Sequence, residues 1–464
     1  MDKVLKLVYR NQNNYKNKHK EKRVMNKILL LILAVLFSFS SFSQEKIILD
    51  TDPSFDPDDL GCMAMLHGMA NKGECEILAV VNSTEFKESP VCISAVNNFY
   101  NRKAIPVGDY KGYKEKKNSP GLYDQYIANN YSAAIESWNK SVDGVGLYRE
   151  ILASAPDTSI TVVIVGTMHN FYGLLQSSPC KFSGKNGVEL VRDKVKMVVT
   201  MGGNFPEGKG YDRANWGGSD KLCPSYSWAC LDKERNAMVR YVLEHCQAPF
   251  IASGWEVGNG SFNNLGYGTV WTGQGLKQLP ANHIIRRGYE YHFKHRENSD
   301  KISRHSNDQC ALHFALCGEM ENYILHENGT IHLSETGACT WKPKPDNNQG
   351  YIQKKRDADS IARDIEALMM SDVQEMDTTP PEAPRGLSYK KKENIFIIHW
   401  EEAQDKSTGS WVAYYNVYQD GKLVGKSYGR KYIHFPEPKK GLKFEITSVN
   451  VNGLESNKSL IDID

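Results

Sequence analysis

The most informative stretch of this sequence reads Ile47-Ile-Leu-Asp50-Thr-Asp52-Pro-Ser-Phe-Asp56-Pro-Asp58-Asp59-Leu60. Its apolar beginning predicts a short buried strand, and the helical periodicity of Leu60–Ala70 predicts a helix soon after it. Five aspartates fall within ten residues between these two elements. The chain therefore leaves a buried strand through an acidic loop, and this loop is where we expect the chemistry.

Outward from this stretch, apolar strands continue to alternate with helices as far as about Met370. Fully apolar strands separated by helices predict an α/β fold, with a mostly parallel, doubly wound sheet and helices on both faces. In such sheets the site lies outside the carboxyl ends of the strands. The predicted strands are Lys46–Leu49, Glu76–Val81, Ser159–Val165, Lys194–Thr200 and Pro249–Ser253, and the predicted helices are Leu60–Ala70, Val91–Tyr100, Glu234–Glu244 and Ala358–Met370.

The pattern changes after this region. Residues 377–384 are rich in proline and predict a semi-rigid linker. Residues 385–464 contain short strand patterns without helices, and Asp420-Gly421 is a hairpin turn signal between two of them. These features predict a small all-β sandwich. We expect residues 44–376 to form a separate domain that carries the chemistry.

The C-terminal region resembles a fibronectin type III domain. The resemblance rests on Trp400 closing an early strand, on the hairpin Tyr415-Asn-Val-Tyr-Gln-Asp-Gly421, and on Phe444-Glu-Ile-Thr-Ser-Val-Asn450. It implies a spacer or an attachment surface, with Trp400 and Tyr415 in the core.

The N-terminal residues 1–43 predict a targeting segment. Met1–Val24 is strongly basic, Ile28–Phe37 is an apolar run, and Ser38–Ser43 is rich in small residues. This order is typical of a secretory signal peptide behind an upstream extension. We therefore expect export to the periplasm or the extracellular space, with no transmembrane anchor after cleavage. The remaining chain is mildly acidic, which excludes the electrostatic footprint of a nucleic-acid-binding protein.

The cysteine pattern excludes one kind of metal site. The chain has ten cysteines but no CxxC pair, so the spacing typical of a zinc site is absent. One or two disulfides remain open in an exported protein.

The acidic loop predicts a bound hard cation. Like charges packed this closely are unfavourable unless a cation neutralises them or some carry protons. Ligand sets made only of oxygen select Ca²⁺ or Mg²⁺. An EF-hand is excluded, because Phe55 and Gly61 stand where that loop requires glycine and glutamate.

The pair Asp50-x-Asp52 also fits a Mg²⁺-dependent phosphatase of the haloacid dehalogenase type. That class needs a later strand that ends in Gly-Asp-x-x-x-Asp. Here the corresponding strand ends in Gly202-Gly203-Asn204, which disfavours this alternative.

The segment Asp50–Asp59 resembles the opening signature of the inosine/uridine-preferring nucleoside hydrolases, in its longer variant. The resemblance covers roughly Lys46–Met370. Further matches follow in the family's order at Ile77–Asn82, Val163–Asn170, Met197–Gly203, Asp232–Ala237, Pro249–Gly258 and Ser306-Asn307-Asp308.

This resemblance implies a set of roles. One Ca²⁺ would be held by Asp52, Asp59 and Asp308 together with the main-chain carbonyl of His169. Asp58 and Asn82 would bind the sugar. Asp52 would also act as the general base in the cleavage of an N-glycosidic bond by metal-activated water.

Two departures concern the substrate side. Asn307 stands where the family commonly has a histidine that helps the departing base, so it is the candidate for contact with the leaving group. The family's Glu-x-Asn pair is missing or displaced, since Tyr226-Ser227-Trp228 stands at its expected place on the insert Asn204–Cys230. Trp216 or Trp228 on this insert could stack on a base or pack in the core.

The sequence thus predicts an exported Ca²⁺-dependent glycosidase that hydrolyses ribonucleosides or a related riboside. The alternatives are a non-catalytic protein of the same fold that binds a sugar or polysaccharide, and the phosphatase. The expected partner is a small-molecule nucleoside or riboside, and homo-oligomerisation stays open.

Overall fold

Apolar runs along the first two thirds of the chain form the strands of one large sheet. The computed structural model describes residues 44–112, 122–205, 214–217, 233–260, 268–319, 321–371, 373, 377–392, 395–407, 410–434 and 441–463. The expected signal segment, residues 1–43, lies outside the described residues.

The strands up to residue 354 are β1 Glu45–Thr51, β2 Cys75–Asn82, β3 Val107–Asp109, β4 Val142–Asp143, β5 Ile160–Ile164, β6 Val195–Met201, β7 Phe250–Ser253, β8 Trp271–Thr272, β9 Arg304–His305, β10 Tyr323–Leu333, β11 Cys339–Pro343 and β12 Gln349–Lys354. The helices are α1 Asp58–Asn71, α2 Ser89–Phe99, α3 Tyr123–Asn130, α4 Gly144–Ser154, α5 His169–Gln176, α6 Gly187–Lys194, α7 Lys233–His245, α8 Trp255–Gly258, α9 Ile284–Arg296, α10 Asn307–Cys317 and α11 Ala358–Met369.

Ten of these strands form one sheet in the order β11-β10-β12-β7-β6-β5-β1-β2-β3-β4. The pairs from β12 to β4 are parallel, whereas β10 and β11 are antiparallel to their neighbours. The predicted α/β fold with a mostly parallel sheet is therefore confirmed. From β1 the chain first builds the β2 side of the sheet and then returns to β5 on the other side, so the topological switch lies between β1 and β5.

The sheet is covered on both faces because successive side chains of a strand point to opposite sides. Ile47 and Leu49 of β1 belong to the hydrophobic cluster that contains α1 and α10. Ile48, between them, belongs to the cluster on the other face, with residues of α4 and α5. Burial on both faces explains why β1 reads as a continuous apolar run.

The C-terminal residues form two antiparallel sheets, as the predicted all-β region requires. Their strands are β13 Ser388–Lys392, β14 Ile395–His399, β15 Val412–Gln419, β16 Lys422–Ser427, β17 Lys431–His434, β18 Leu442–Asn450 and β19 Ser459–Ile463. The orders are β13-β14-β17 and β16-β15-β18-β19. Trp400 and Tyr415 are core residues, as expected, with ring centroids 5.2 Å apart. The assignment to the fibronectin type III class stays a prediction.

The Pro-rich segment is bonded to the sandwich. Asp377 accepts hydrogen bonds from Ser407 Oγ at 2.8 Å and Asn450 Nδ2 at 3.0 Å, and the main-chain oxygen of Glu382 accepts one from Ser448 Oγ. Residues 377–384 therefore lie along the β-sandwich.

The sandwich also packs directly on the α/β part. Trp411 is 5% exposed, and its Nε1 donates to the main-chain oxygen of Ile77 at 3.2 Å. Val451 is fully buried in the same cluster and accepts a hydrogen bond from Ala104 N at 2.9 Å. Lys46 of β1 forms an ion pair with Glu402 at 2.8 Å. Because Lys46 and Ile77 lie in the amino-terminal halves of β1 and β2, the sandwich contacts the end of the sheet opposite to the acidic loop.

The structure describes every cysteine except Cys223 and Cys230, and all of those described are free thiols. Within the same part of the chain, no helix has both the length and the apolar character needed to cross a membrane.

Candidate functional site

The acidic loop lies at the switch point of the sheet. β1 ends at Thr51 and α1 begins at Asp58, so residues 52–57 form a short connection at the carboxyl end of the strand. Asp58 and Asp59 occupy the first turn of α1, where the partial positive charge of a helix N-terminus stabilises carboxylates. The topology therefore places this loop where parallel α/β sheets bind their ligands.

Asp59 is anchored to the end of β1 through one carboxylate oxygen. Its Oδ1 accepts hydrogen bonds from Thr51 Oγ1 at 2.5 Å and from Asp52 N at 3.0 Å. Burial and then the negative charge of Asp56 raise the pKa of Asp59 to about 7.

Asp52, Asp58 and Asp308 share this environment. Burial, followed by the charges of neighbouring carboxylates, holds the pKa of each well above its usual range. The carboxylates that raise the pKa of Asp308 include Asp52, Asp58 and Asp59. The start of α10 is thereby brought to the acidic loop, although about 250 residues separate them.

Asp56 differs from the other aspartates because it has a cationic partner. Arg304 Nη2 lies 2.6 Å from Asp56 Oδ2. Although burial opposes ionisation, the Arg304 guanidinium holds the pKa of Asp56 below its ordinary value. Arg304 therefore balances the charge of Asp56 without a metal ion.

The cluster fits a hard divalent cation. Carboxylate oxygens of Asp56, Asp58 and Asp59 all lie within 4.8 Å of one another. Asp58 Oδ1 is buried, and the described residues offer it no hydrogen-bond partner. Such a group must be neutralised by protons or by a cation, and oxygen ligands of this kind suit Ca²⁺ or Mg²⁺.

The turn after β5 is hydrogen-bonded to the end of β1, where the acidic loop begins. The amides of Val165 and Gly166 donate to Asp50 O at 2.8 and 3.2 Å. A Cβ on Gly166 would lie 2.9 Å from Asp52 N and 2.3 Å from Ser83 Oγ, so this approach requires glycine. His169 follows at the start of α5, where its Nδ1 lies 2.7 Å from Thr167 Oγ1. The expected ligand, the His169 carbonyl, therefore lies in the first turn of α5, directly after the turn that contacts the end of β1.

Asn82 lies at the end of β2 and is held by local bonds. Its Nδ2 donates to Asp109 Oδ1 at 2.8 Å and to Thr84 O at 3.0 Å. Its Oδ1 accepts from Thr84 N and Thr84 Oγ1. Lys111, 3.2 Å from Asp109, completes this network. Both amide hydrogens of Asn82 therefore already have protein acceptors. Binding of substrate by Asn82 stays a prediction.

Asp50 is fully buried below the loop. It accepts a hydrogen bond from Tyr148 OH at 3.1 Å, and burial raises its pKa to about 8. A phosphatase nucleophile needs an accessible, ionised carboxylate. The environment of Asp50 therefore disfavours the phosphatase alternative.

The residue expected to contact the leaving group, Asn307, is 1% exposed. Its Nδ2 lies 2.8 Å from His305 Nδ1. Sequence reasoning missed both His305 and Arg304, which lie on β9 beside the cluster. The dipeptide Arg304-His305, directly before the Ser306-Asn307-Asp308 motif, is the signal that could have drawn attention to them.

The insert after Asn204 is described only in part. Trp216 is fully buried, 6.1 Å from the Phe205 ring, so it is a core residue and does not stack on a ligand. Trp228 and the position of the missing Glu-x-Asn pair lie outside the described residues. Further along, Arg235 of α7 faces Glu85 at 3.5 Å, and its charge lowers the pKa of Asp52 against the larger opposing effect of burial.

Neither a protein-family model nor a curated protein matches this sequence. Among solved structures, the plant nucleoside hydrolase PpNRh1 aligns at 14% identity with a TM-score of 0.47, over 71% of this chain and 99% of its own. An inosine-guanosine nucleoside hydrolase aligns at 16% identity with a TM-score of 0.48, over 70% of this chain and 98% of its own.

The central fibronectin-III array of RIM-binding protein aligns over 19% of this chain and 36% of its own, at 19% identity and a TM-score of 0.17. The case for function rests on the residues of the site.

Proposed function

We propose that this protein is a cation-dependent hydrolase that cleaves the N-glycosidic bond of a ribonucleoside or a related riboside. The observation that carries the proposal is the acidic group of Asp56, Asp58 and Asp59, whose carboxylate oxygens lie within 4.8 Å of one another. The charges of Asp52, Asp58 and Asp59 also raise the pKa of Asp308, which places the start of α10 near this group. The ordered resemblance of the surrounding motifs to nucleoside hydrolases supports the reaction class. We further propose Ca²⁺ as the cation, because all-oxygen ligands suit Ca²⁺ or Mg²⁺ and the resemblance to the nucleoside hydrolases favours Ca²⁺.

Asp52, Asp59, Asp308 and the His169 carbonyl would hold the cation. When bound, it would supply positive charge that polarises a water molecule and orients sugar hydroxyls. Asp59 is the best-placed ligand, since Thr51 and the Asp52 amide already fix its carboxylate. Asp58, with one buried oxygen unpaired among the described residues, is suited to accept hydrogen bonds from ribose hydroxyls.

Asp52 acts as the general base in this proposal. It accepts the proton of the attacking water, while the bond between the anomeric carbon and the base breaks through an oxocarbenium-like transition state. The surrounding carboxylates stabilise the positive charge that develops on the sugar.

We also propose that the protein is exported. The support is the order of basic, apolar and small residues in positions 1–43. The fate of this segment is tested by N-terminal sequencing of the protein recovered from a secreting host. Recovery with residues 1–43 still attached would contradict the proposal.

Incubation of the purified protein with nucleosides, 4-nitrophenyl riboside and 4-nitrophenyl phosphate tests the reaction class. Release of free base or of nitrophenol from the riboside is expected. Release from the phosphate alone would support the phosphatase, and binding of sugars without release would support the non-catalytic alternative.

Asp52→Asn, assayed at saturating calcium, tests the general base, with the exposed Asp346→Asn as the matched control. We expect a loss of about 10²–10⁴-fold in kcat for Asp52→Asn only. Near-normal turnover with confirmed calcium occupancy would reduce Asp52 to a ligand.

A further inference from the structure

One edge strand of the β-sandwich exposes an apolar side chain. β19 is the last strand of its sheet and, among the described residues, pairs with β18 on one side only. Its Leu460 is 72% exposed, a larger fraction than for any other large apolar side chain that the structure describes. Lys458 and Asp462 are also exposed, and because side chains alternate along a strand, all three share one face. The free edge of such a strand presents N–H and C=O groups that can pair with another strand.

The other sheet edges in the described part of the chain are protected against such pairing. β4, β8 and β9 have only two residues each, β11 ends in Lys342-Pro343, and β13 carries Lys390–Lys392. β16 and β17 cover each other, since Tyr432 OH donates to Val424 O at 3.1 Å. Short strands, lysine, proline and a covering element are the usual means of preventing edge-to-edge association. β19, with the sequence Ser459-Leu-Ile-Asp-Ile463, has none of these features among the described residues.

β19 lies at the end of the sandwich that is remote from the α/β part. It pairs with Leu442–Ile446, the first half of β18. The sandwich packs on the α/β part through Trp411 and Val451. Both adjoin the other end of β18, where Val412 pairs with Asn450. The edge of β19 is therefore accessible to another molecule.

The outer face of β19 is complementary to itself. In an antiparallel pair of two β19 strands with a two-fold axis at Leu460, each residue lies opposite the one at the same distance on the other side of that axis. Leu460 then meets the same residue of the second copy, and Lys458 meets Asp462 twice. Asp462 has no salt bridge among the described residues, and Lys458 is 46% exposed beside Glu445, its partner at 2.7 Å. Cross-strand pairs of opposite charge and of apolar side chains stabilise a ladder.

We propose that this protein forms a two-fold symmetric dimer through antiparallel pairing of β19 with β19 of a second copy. The four strands of each copy join into one eight-stranded sheet, and the symmetric contact closes, so that no further copies are added. A five-residue strand offers less area than the roughly 1,200–2,000 Å² that stable interfaces bury. The dimer is therefore reversible, with a Kd of the order of 100 μM. The inference does not depend on the proposed hydrolysis, because β19 contains no residue of the acidic cluster.

Sedimentation velocity of the full chain at increasing concentration tests the dimer. We expect the wild type to pass from monomer to dimer between about 10 and 500 μM. Leu460→Lys places two positive charges against each other on the axis, so this variant should remain monomeric over the same range. Leu423→Lys is the matched control, because Leu423 is also exposed, at 47%, but lies on β16 at the other side of the same sheet. A wild type that stays monomeric, or a dimer that Leu460→Lys leaves intact, would overturn the proposal.

Charge reversal tests the two-fold register. Lys458→Asp and Asp462→Lys each set like charges opposite one another at two symmetric positions, and each should weaken dimerisation by about tenfold or more. The double variant restores opposite charges and should return the Kd to within about threefold of the wild type. Thermal unfolding at about 1 μM, where the protein is monomeric, checks that each variant is folded. No effect of the single changes, or no rescue by the double variant, would overturn the proposal.

Discussion

Removal of the proposed cation should destabilise this protein at alkaline pH and have little effect at acidic pH. Burial raises the pKa of Asp59 to about 7, from an ordinary value of 3.8. A carboxyl whose pKa is raised on folding stabilises the fold below pH 4, and this contribution is lost as the pH rises through 7. At pH 8 the metal-free protein therefore holds a buried negative charge that the cation would neutralise.

The expected loss of stability follows from the raised pKa of Asp59. Since a tenfold change in proton affinity is worth about 1.4 kcal/mol, a pKa of about 7 in place of 3.8 costs on the order of 4 kcal/mol once Asp59 is ionised. The folded unit spans residues 45–464. At roughly 2 cal/mol/K of unfolding entropy per residue, this cost corresponds to about 5 °C in Tm.

Thermal unfolding with EDTA or with added calcium, at pH 5 and at pH 8, measures the effect. We expect EDTA to lower Tm by several degrees at pH 8 and by about 1 °C or less at pH 5, where the cluster carries its own protons. Asp59→Asn should reduce the difference between the two pH values, and the exposed Asp346→Asn should not. An EDTA effect that is absent at pH 8, or equal at both pH values, would refute the assignment of the cluster as a cation site.

Three further changes are expected to act on separate parts of the molecule. Trp411→Ala should lower the free energy of unfolding by about 3–5 kcal/mol in urea titrations, and a normal midpoint would mean that the sandwich packs only loosely on the α/β part. Gly166→Ala should weaken calcium binding by calorimetry, because its Cβ would displace the Asp52 amide, whereas Gly184→Ala has open space and serves as the control. A chain that ends after Ser371 should unfold at a lower temperature than the full chain, since it exposes the surface that Trp411 covers, and an unchanged Tm would contradict this.

The packing of the β-sandwich on the α/β part bears on the predicted division of the chain into domains. The Pro-rich segment predicts two separable domains, and the boundaries 44–376, 377–384 and 385–464 stay a prediction. Trp411 and Val451, however, belong to the same hydrophobic cluster as α1. Because this packing lies at the opposite end of the sheet from Asp52, it should affect stability more than catalysis.

The sequence by itself determined the central strands and the local chemistry of this protein. β1, β2 and β5 are continuous apolar runs because both of their faces are buried, and such runs are visible without coordinates. The hairpin at Asp420-Gly421 could also be predicted, because an Asp-Gly pair favours the positive φ angles that this turn requires. The two residues adopt φ angles of 51° and 79°. The aspartates of residues 50–59 are neighbours in the chain, so their clustering needed no tertiary information.

Only the tertiary structure decided which distant groups complete the site. Arg304 meets Asp56 across 248 positions of sequence, and Trp411 meets Ile77 across 334. Nothing in the sequence distinguishes His305, and only the fold brings its ring against those of Trp255 and Trp271. No local pattern encodes these contacts, because they arise when separate strands and helices pack at one end of a sheet. Local periodicity reports which face of an element is buried, and it does not report what that face will meet.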